Sequence, residues 1–392
     1  MFETNFSRYF LIVKIPKNKT YIQGYVYNMN NNKVYMREID VMRFIAVILV
    51  VVGHSAAYQC VNAYENMNYD LCMLQNNIAD TVIHHDICRL SETIYLFHMP
   101  LFFAISGATF AGSMLAKKDG QYLRYPTVVS LIKEKSKKLL IPYIIITLFW
   151  DIPLKYLGGV YNNYEVKTVL YNAIQGQLLL KGNSYLWFLI ALFNIFLVVY
   201  LLEKYINNSV LNIYILVLIH FMRYGFSNNF TYTAMENALF FYIGYIWSSY
   251  REKYNTIVRK NKYIIWISAI TLILIEYIKN IWRIPNLDEF LRYWGIGTGM
   301  VLIYSIALKL TELNFDTCKI VKIINGASFG IYLYAEPINY FILKKYIDVF
   351  SISILGSEIG AVILFLFRTF GVTVGAMIIV KALKKVNLKI LC

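Results

Sequence analysis

The chain has 392 residues, of which 58% are hydrophobic and only 16% are charged. A water-soluble protein of this length could not cover so much apolar surface with so few charges, and the repeated apolar runs of about 20 residues indicate a polytopic helical membrane protein. The formal net charge of +15 does not indicate binding to nucleic acid, because the basic residues cluster in short segments between apolar runs, where they orient membrane proteins.

Residues 1–35 are predicted to form a polar cytosolic N-terminal arm, and residues 36–392 a single membrane domain. The arm is rich in Asn, Lys and Tyr, and its apolar piece at residues 9–13 is shorter than the core of a signal peptide. We therefore expect no cleavable signal peptide in this arm.

The first predicted helix, residues 39–60, carries two ionisable side chains on one face. Arg43 lies near its start, and His54 lies deeper, roughly three turns or roughly 16 Å further along the axis. An ionisable group at membrane depth usually marks a functional site, because it is expensive to bury. His54 is therefore a candidate catalytic residue; the alternative is a structural hydrogen bond to a neighbouring helix.

A polar loop is predicted over residues 61–92. Four of its residues that lie close together in the sequence are of metal-ligand type: His84, His85, Asp86 and Cys88. Their spacing matches no familiar metal site, so we expect a surface loop and no bound metal. Three cysteines lie in this loop or directly before it: Cys60, Cys72 and Cys88. If the loop is extracytoplasmic, one disulfide among them is possible, and the pairing cannot be derived from the sequence.

The second predicted helix spans residues 93–115 and places His98 two residues before Pro100. A proline inside a helix removes a backbone hydrogen bond. His98 is therefore predicted either to orient His54 or to cap a broken helix end.

The third predicted helix begins near residue 139, directly after a basic cluster formed by Lys133, Lys135, Lys137 and Lys138. The cluster is predicted to orient the chain and contact anionic lipid, to bind the phosphates of a cytosolic donor, or to do both. Asp151 lies towards the outer end of this helix. A carboxylate there either faces an extracytoplasmic substrate or belongs to the membrane interface.

The remaining predicted helices span residues 185–202, 210–224, 232–249, 262–280, 292–310, 323–343 and 357–381, which makes ten. With the N-terminus inside, the cytosolic segments hold 26 Lys and Arg residues and the outer loops hold nine. This bias follows the positive-inside rule. The sequence therefore predicts ten spans with both termini in the cytosol.

Two further groups of residues are predicted to act inside the membrane. Glu276 and Glu336 are candidate partners for buried cations such as Arg368, because an unpaired buried charge is very unfavourable; the sequence does not assign the pairs. Glycines four residues apart are predicted to allow close helix packing: Gly295 and Gly299, Gly356 and Gly360, Gly371 and Gly375.

Several segments also carry a resemblance to a known family. Arg43 precedes His54 by eleven positions, FHMPLFFAISG occupies residues 97–107, and Lys135 and Lys138 precede Pro142. Weaker matches are SYLWFLIALF, ALFFYIGYIW and SFGIYLYAEP at residues 184–193, 238–247 and 328–337. Together, over residues 36–380, they resemble the acyltransferase-3 family of integral membrane acyltransferases, especially fucose 4-O-acetylases and related sugar O-acetyltransferases. The family often has two arginines in place of Lys135 and Lys138, and a histidine near Ala335.

The resemblance implies an acyl-CoA donor, usually acetyl-CoA, and a hydroxyl of a cell-surface or lipid-linked carbohydrate as acceptor. It places the protein among the lipids of a bacterial cytoplasmic membrane. Arg43, Lys135 and Lys138 would bind the donor phosphates, and His54, with Arg43 and His98 beside it, would carry the chemistry. An imidazole suits either a general base or a transient acyl carrier, and we favour the base. Asp151 and Glu336 are the candidate substrate-binding residues.

Two other functions remain open at this point. A transporter or flippase for a glycan or small polar substrate would also need buried His, Glu and Arg side chains. A purely structural scaffold would be indifferent to changes at Arg43 and His54.

Overall fold

Apolar runs in lipid fold into helices because each backbone polar group must find its hydrogen bond within the segment. The computed structural model describes residues 19–22, 25–28, 33–56, 82–114, 117–118, 121–122, 124–158, 165–178, 185–226, 229–281, 285–349 and 357–392. Apart from short strands, the regular structure of these residues is helical. The predicted fold class, an all-α polytopic membrane protein, is confirmed.

Eleven helices are numbered here in chain order within the described ranges. They are α1 Arg37–Ala56, α2 Val82–Met114, α3 Val128–Leu157, α4 Val166–Ala173, α5 Trp187–Leu201, α6 Ser209–Met222, α7 Asn229–Lys260, α8 Ile264–Ile281, α9 Pro285–Glu312, α10 Lys319–Val349 and α11 Glu358–Lys385. Every predicted span coincides with one of these helices.

The described strands form two small antiparallel sheets. In the N-terminal arm, β1 Lys19–Ile22, β2 Tyr25–Asn28 and β3 Lys33–Tyr35 are ordered β1-β2-β3. Between α2 and α3, β4 Lys117–Lys118 pairs with β5 Gln121–Tyr122.

Two predicted helix boundaries were wrong. Helix α2 begins at Val82, so residues 82–92, expected in a loop, are helical; Cys60 and Cys72 lie outside the described residues, and the disulfide question stays open. Helix α3 begins at Val128, so Pro142 lies inside it rather than in its first turn.

Helix α3 is not a regular α-helix along its length. It contains two π-helical segments, Ser136–Leu140 and Thr147–Asp151, and each lies just ahead of a proline, Pro142 or Pro153. Proline has no N–H to donate and crowds the preceding turn, and a π-bulge is one way in which a helix accommodates such a break.

Six helices of the described chain are long and apolar enough to cross a membrane: α1, α2, α3, α5, α9 and α11. Helices α7 and α8 meet the same test together but are bent by 88° at their junction, and the residues of α6 form a shorter apolar helix. The count of ten spans with cytosolic termini is not confirmed by these helices and stays a prediction.

Helix α2 lies at the centre of the helical body, where it packs against α1, α7 and α9. A Cβ atom added at Gly107 of α2 would lie 1.9 Å from the carbonyl oxygen of Phe241 in α7, and one added at Gly244 would lie 2.0 Å from that of Ala104. The two backbones therefore touch directly, which only glycine permits at these positions.

The predicted glycine pair in α9 also makes close contacts. A Cβ atom at Gly295 would lie 2.2 Å from Leu96, and one at Gly299 would lie 2.3 Å from the ring of Phe97, both in α2. Close packing through Gly295 and Gly299 is thus confirmed; Gly356 lies outside the described residues.

Candidate active site

A cavity of about 720 Å³ lies between the ends of several helices. It is bounded by the last turns of α1, the N-terminal halves of α2, α7 and α9, and parts of α10 and α11. Its polar and aromatic lining consists of His54, Cys88, Ser91, Glu92, Tyr95, His98, Tyr185, Trp187, Glu236, Asn237, Phe240, Arg292, Tyr332, Glu336, Asn339, Tyr340 and Arg368. Under the predicted topology, all of these helix ends lie on the extracytoplasmic side.

Two histidines and a tyrosine meet in this cavity. The hydroxyl of Tyr95 lies 2.8 Å from Nδ1 of His54. The Tyr95 ring packs edge-on against both imidazoles, with centroid distances of 5.5 Å to His54 and 4.8 Å to His98. His98 therefore lies in the surroundings of His54, with the Tyr95 ring in contact with both imidazoles; that His98 orients His54 stays a prediction.

The ring of His98 has a fixed tautomer. Its Nδ1 lies 3.0 Å from the backbone carbonyl oxygen of Ile94, and a carbonyl can only accept, so Nδ1 carries the proton. In the neutral ring, Nε2 then has the lone pair. His98 is 3% exposed, so its ring is held firmly.

The close approach of Tyr95 to α1 depends on Gly53. A Cβ atom at Gly53 would lie 3.3 Å from the Tyr95 ring, so a larger side chain would push the ring away from His54. In addition, Ser91 donates a hydrogen bond of 2.9 Å to the Gly53 carbonyl oxygen. The glycine immediately before His54 thus allows the tyrosine to reach the imidazole.

Arg368 of α11 fixes the backbone of the last described turn of α1. Its guanidinium donates to the carbonyl oxygens of Ser55, at 3.0 Å, and His54, at 3.2 Å, and to Oδ1 of Asn339, at 2.6 Å. Carbonyl groups at the end of a helix need donors from outside the helix. Arg368 therefore positions His54 through its backbone, whereas the sequence suggested a glutamate partner.

Glu336 instead belongs to a buried charge cluster with Asp151 and Lys155. The ammonium of Lys155 lies 3.1 Å from Asp151 Oδ1 and 3.7 Å from Glu336 Oε1. Asp151 and Lys155 are 0% and 2% exposed. Glu336 lines the cavity, while Asp151 lies behind it. Lys155, one of the nine basic residues counted in the predicted outer loops, is thus a buried counterion. The other candidate partner, Glu276, pairs with Lys279 at 3.8 Å.

The predicted donor-binding residues lie apart from this cavity. Arg43 contacts Asp40 at 3.2 Å, and Lys138 contacts Glu134 at 2.6 Å. Lys135 places its ammonium 3.4 Å from the ring centroid of Phe196, in a cation–π contact. Arg43, Lys135 and Lys138 line neither this cavity nor the neighbouring one. The structure therefore brings His54, His98 and Glu336 together and leaves the three basic residues elsewhere.

A second cavity of about 510 Å³ adjoins the first and shares Glu92, Tyr95, Leu96 and Arg292 with it. Beside it, Arg292 pairs with Glu236 at 2.5 Å. Tyr293 connects His220 and Arg223, because its hydroxyl lies 2.7 Å from Nε2 of His220 and 2.9 Å from a guanidinium nitrogen of Arg223.

Some of these residues escaped the sequence analysis although a signal was present. Tyr95 lies three residues before His98, and Lys155 four residues after Asp151, which are spacings that place side chains on one helix face. No comparable spacing relates Arg223 or Arg292 to their partners, which lie on other helices.

Comparison with known proteins adds one match. A family model described as an acyltransferase domain matches residues 36–381. No curated protein and no solved structure matches the chain.

Proposed function

The chain belongs to the acyltransferase-3 family of integral membrane acyltransferases, and on this premise we propose that it transfers an acetyl group from acetyl-CoA to a hydroxyl of a cell-surface or lipid-linked carbohydrate. The observation that best supports this proposal is the pairing of His54 with Tyr95 inside a cavity of about 720 Å³. Cavities of this size suit a small substrate or one or two sugar units.

His54 is the proposed general base. When its Nδ1–H donates to the Tyr95 oxygen, Nε2 holds the lone pair and can accept the proton of an acceptor hydroxyl. The hydroxyl oxygen then forms a bond to the thioester carbonyl carbon and the carbon–sulfur bond breaks. The departing CoA thiolate takes the proton back from the imidazolium, so the enzyme returns to its starting state.

His98 supports this chemistry from the same wall. Because its Nδ1 proton is held by the Ile94 carbonyl, its Nε2 atom is an acceptor. We propose that it accepts a hydrogen bond from the acceptor sugar and orients it for His54. Glu336, held by Lys155, is the proposed carboxylate contact to another hydroxyl, with Asp151 behind it as a positioning residue.

The donor phosphates are proposed to bind at the other end of the helices. Arg43 lies roughly 16 Å from His54 along α1, and Lys135 and Lys138 lie in the N-terminal part of α3, whose last turns carry Asp151 and Lys155. The ion pairs of Arg43 and Lys138 are partly exposed, so phosphates can replace their carboxylate partners. Under the predicted topology, the donor enters from the cytosol and the acceptor from outside.

The test is the His54→Ala variant, with His85→Ala as its control, since His85 is an exposed histidine at the start of α2. Both proteins are purified in lipid nanodiscs and given acetyl-CoA with glycans from cells that lack the gene. We expect His54→Ala to release CoA thiol at least about 100-fold more slowly, while His85→Ala matches the wild type. Full activity of a correctly folded His54→Ala protein would overturn the proposal.

The same preparation separates enzyme from transporter. Acceptor-dependent thiol release, with an acetylated glycan identified by mass spectrometry, supports acyl transfer. Uptake of glycan into proteoliposomes without any thiol release would instead support transport.

A further inference from the structure

The second cavity lies where a larger acceptor would extend from the proposed reaction site. It shares four wall residues with the first cavity, including Tyr95, whose hydroxyl contacts His54. A carbohydrate chain with one hydroxyl near His54 therefore has adjoining space for its next sugar unit. The second cavity is built from α2, α7 and α9 together with the turn after α6 and the end of α8.

The charges around the second cavity balance. Among the described residues that line it, three are basic, Arg223, Lys279 and Arg292, and three are acidic, Glu92, Asp288 and Glu289. A cavity for a phosphate or carboxylate would show an excess of basic side chains. This lining has no such excess.

Each basic side chain of the cavity also has a carboxylate partner. Arg223 contacts Glu289 at 3.0 Å, and Lys279 contacts Glu276 at 3.8 Å. The guanidinium of Arg292 is paired with Glu236. An anionic ligand would have to compete with these carboxylates, and the nearby negative charges would oppose its binding.

The wall nevertheless offers many polar and aromatic contacts to a neutral ligand. Carboxylates accept and guanidinium groups donate hydrogen bonds, and a sugar hydroxyl does both. Two tyrosines, Tyr224 and Tyr232, also line the cavity, and Tyr224 is 61% exposed. A tyrosine ring presents an apolar face, on which the C–H face of a sugar ring can stack, beside a hydroxyl that can hydrogen-bond.

From this geometry we infer that the second cavity is an acceptor subsite selective for neutral sugars, which binds the unit next to the acetylated one and disfavours uronic acids and phosphorylated sugars. The inference rests on the proposed acyl transfer for its biological meaning. Binding to the subsite can be measured without any transfer, so failure of one proposal can be distinguished from failure of the other.

The experiment uses matched pairs of methyl glycosides that differ by one carboxylate: glucoside and glucuronoside, galactoside and galacturonoside. Binding to the full-length protein in detergent is followed by the ligand-dependent shift in Tm, which needs no acetyl-CoA. We expect the neutral member of at least one pair to bind about tenfold more tightly than its acidic partner.

The discriminating variant is Glu289→Gln, which leaves Arg223 without its carboxylate partner. Its preference for the neutral member should fall by about tenfold, because the cavity then gains one positive charge. Glu312→Gln is the matched control, since Glu312 forms an exposed ion pair with Arg259 at 2.8 Å and lines neither cavity.

Three results would overturn the inference. These are equal or tighter binding of the acidic members by the wild type, binding of neither member of any pair, and an equal change of preference in Glu289→Gln and Glu312→Gln. If neutral glycosides bind as expected but are never acetylated, the subsite stands and the proposed reaction fails.

Discussion

Lys155 shows how a single residue can hold two acidic side chains inside a membrane protein. Its ammonium contacts Asp151 and Glu336, and the rings of Tyr185 and Tyr340 lie 5.2 Å and 5.6 Å from it. Two carboxylates share one ammonium, so removal of the lysine would leave neighbouring negative charges in a site of low polarity. The cluster fixes Glu336 at the cavity wall because Lys155 itself is fully enclosed.

We therefore expect Lys155→Met to lower the free energy of unfolding by about 3–5 kcal/mol, the usual effect of breaking a buried ion pair on one side. The triple variant Asp151→Asn, Lys155→Met, Glu336→Gln should recover much of this loss, because it leaves no unpaired charge. Thermal unfolding in detergent measures both. If Lys155→Met were as stable as the wild type, the three side chains Asp151, Lys155 and Glu336 would not depend on one another.

The cluster of Asp151, Lys155 and Glu336 shows how far single site residues could be predicted from the sequence. Asp151 and Glu336 were predicted as site residues because carboxylates are rare within apolar spans. Lys155 was missed because a lysine near the end of a membrane helix is normally interpreted as a signal for the orientation of the helix in the membrane. Only the packing of α10 against the end of α3 shows that its ammonium faces inward.

A second residue pair has a pH dependence that can be tested. Arg37 donates to both carboxylate oxygens of Asp316, at 2.9 Å and 2.7 Å, and joins the start of α1 to the turn between α9 and α10. This contact holds the pKa of Asp316 below its ordinary value. The folded protein then binds the proton less readily than the unfolded chain, so the stabilisation exists above the unfolded pKa of about 3.9.

We expect Asp316→Asn to lower Tm at pH 7. The difference from the wild type should shrink as the pH falls below about 4 and through the lower folded pKa, because Asp316 is then protonated in both states. Asp86→Asn serves as the control, since Asp86 is exposed and its contact with Arg89, at 3.8 Å, is exposed as well. A difference in Tm that is constant from pH 7 to pH 3 would contradict the assigned role of the carboxylate.

At the scale of elements, α2 combines the packing and the chemistry of the site. Its N-terminal half carries Tyr95 and His98, and its C-terminal half carries Gly107, which touches the backbone of α7. The motif at residues 97–107 therefore connects the part of α2 that lines the cavity beside His54 to the contact of Gly107 with α7. A shift of α2 at Gly107 would also move the residues that hold His54.

We expect Gly107→Ala to destabilise the protein by about 1–3 kcal/mol or more, since its methyl group would meet a carbonyl oxygen of α7 that cannot rotate away. Gly297→Ala in α9 is the matched control. A Cβ atom there meets nothing within 4 Å, so the higher helix propensity of alanine should stabilise by up to about 1 kcal/mol. Monodispersity and Tm in detergent report both changes, and equal effects would refute the close α2–α7 contact.

Helix positions were predictable because a run of apolar residues marks each one, but the ends and irregularities of the helices were not. Six of the eleven residues from Val82 to Glu92 are polar or charged, yet the segment is part of α2. The side chain of Glu358 in α11 accepts hydrogen bonds from the backbone N–H groups of Val82 and Ile83 at 2.9 Å each. A contact with another helix thus stabilises the start of α2. This contact could not be predicted from the local sequence of α2.

At the scale of the whole molecule, the cavity around His54 lies at one end of α1, and Arg43, a proposed donor-binding residue, lies near the other end. Under the proposed function and the predicted topology, this arrangement suits an enzyme that brings together a cytosolic thioester and an outer acceptor. Hydropathy leaves the number of spans open partly because α10 carries Asn325, Glu336 and Asn339, which contact other protein groups. Polar residues that face the interior of the protein lower the mean hydropathy of a helix, but such a helix can still span the membrane.

The junction of α7 and α8 decides whether these two helices form one broken span or two separate spans. Helix α7 has 32 residues and α8 has 18, which correspond to about 48 Å and about 27 Å, against a hydrocarbon core of about 30 Å. Each is thus long enough to cross alone or nearly so. The turn between them includes the exposed Asn261 and is flanked by Arg259, Lys260 and Lys262, as expected of a cytosolic loop.

We therefore expect Asn261→Cys, in a variant without the native cysteines, to react with a membrane-impermeant maleimide in inside-out vesicles and not in intact cells. This result would make α7 and α8 two separate spans, because the turn would lie in cytosolic water. If α7 and α8 instead formed one broken span, the charged turn would lie within the bilayer and the thiol would stay unlabelled in both preparations. Labelling in intact cells would show that the topology is the reverse of the predicted one. The acceptor would then have to enter from the cytosol.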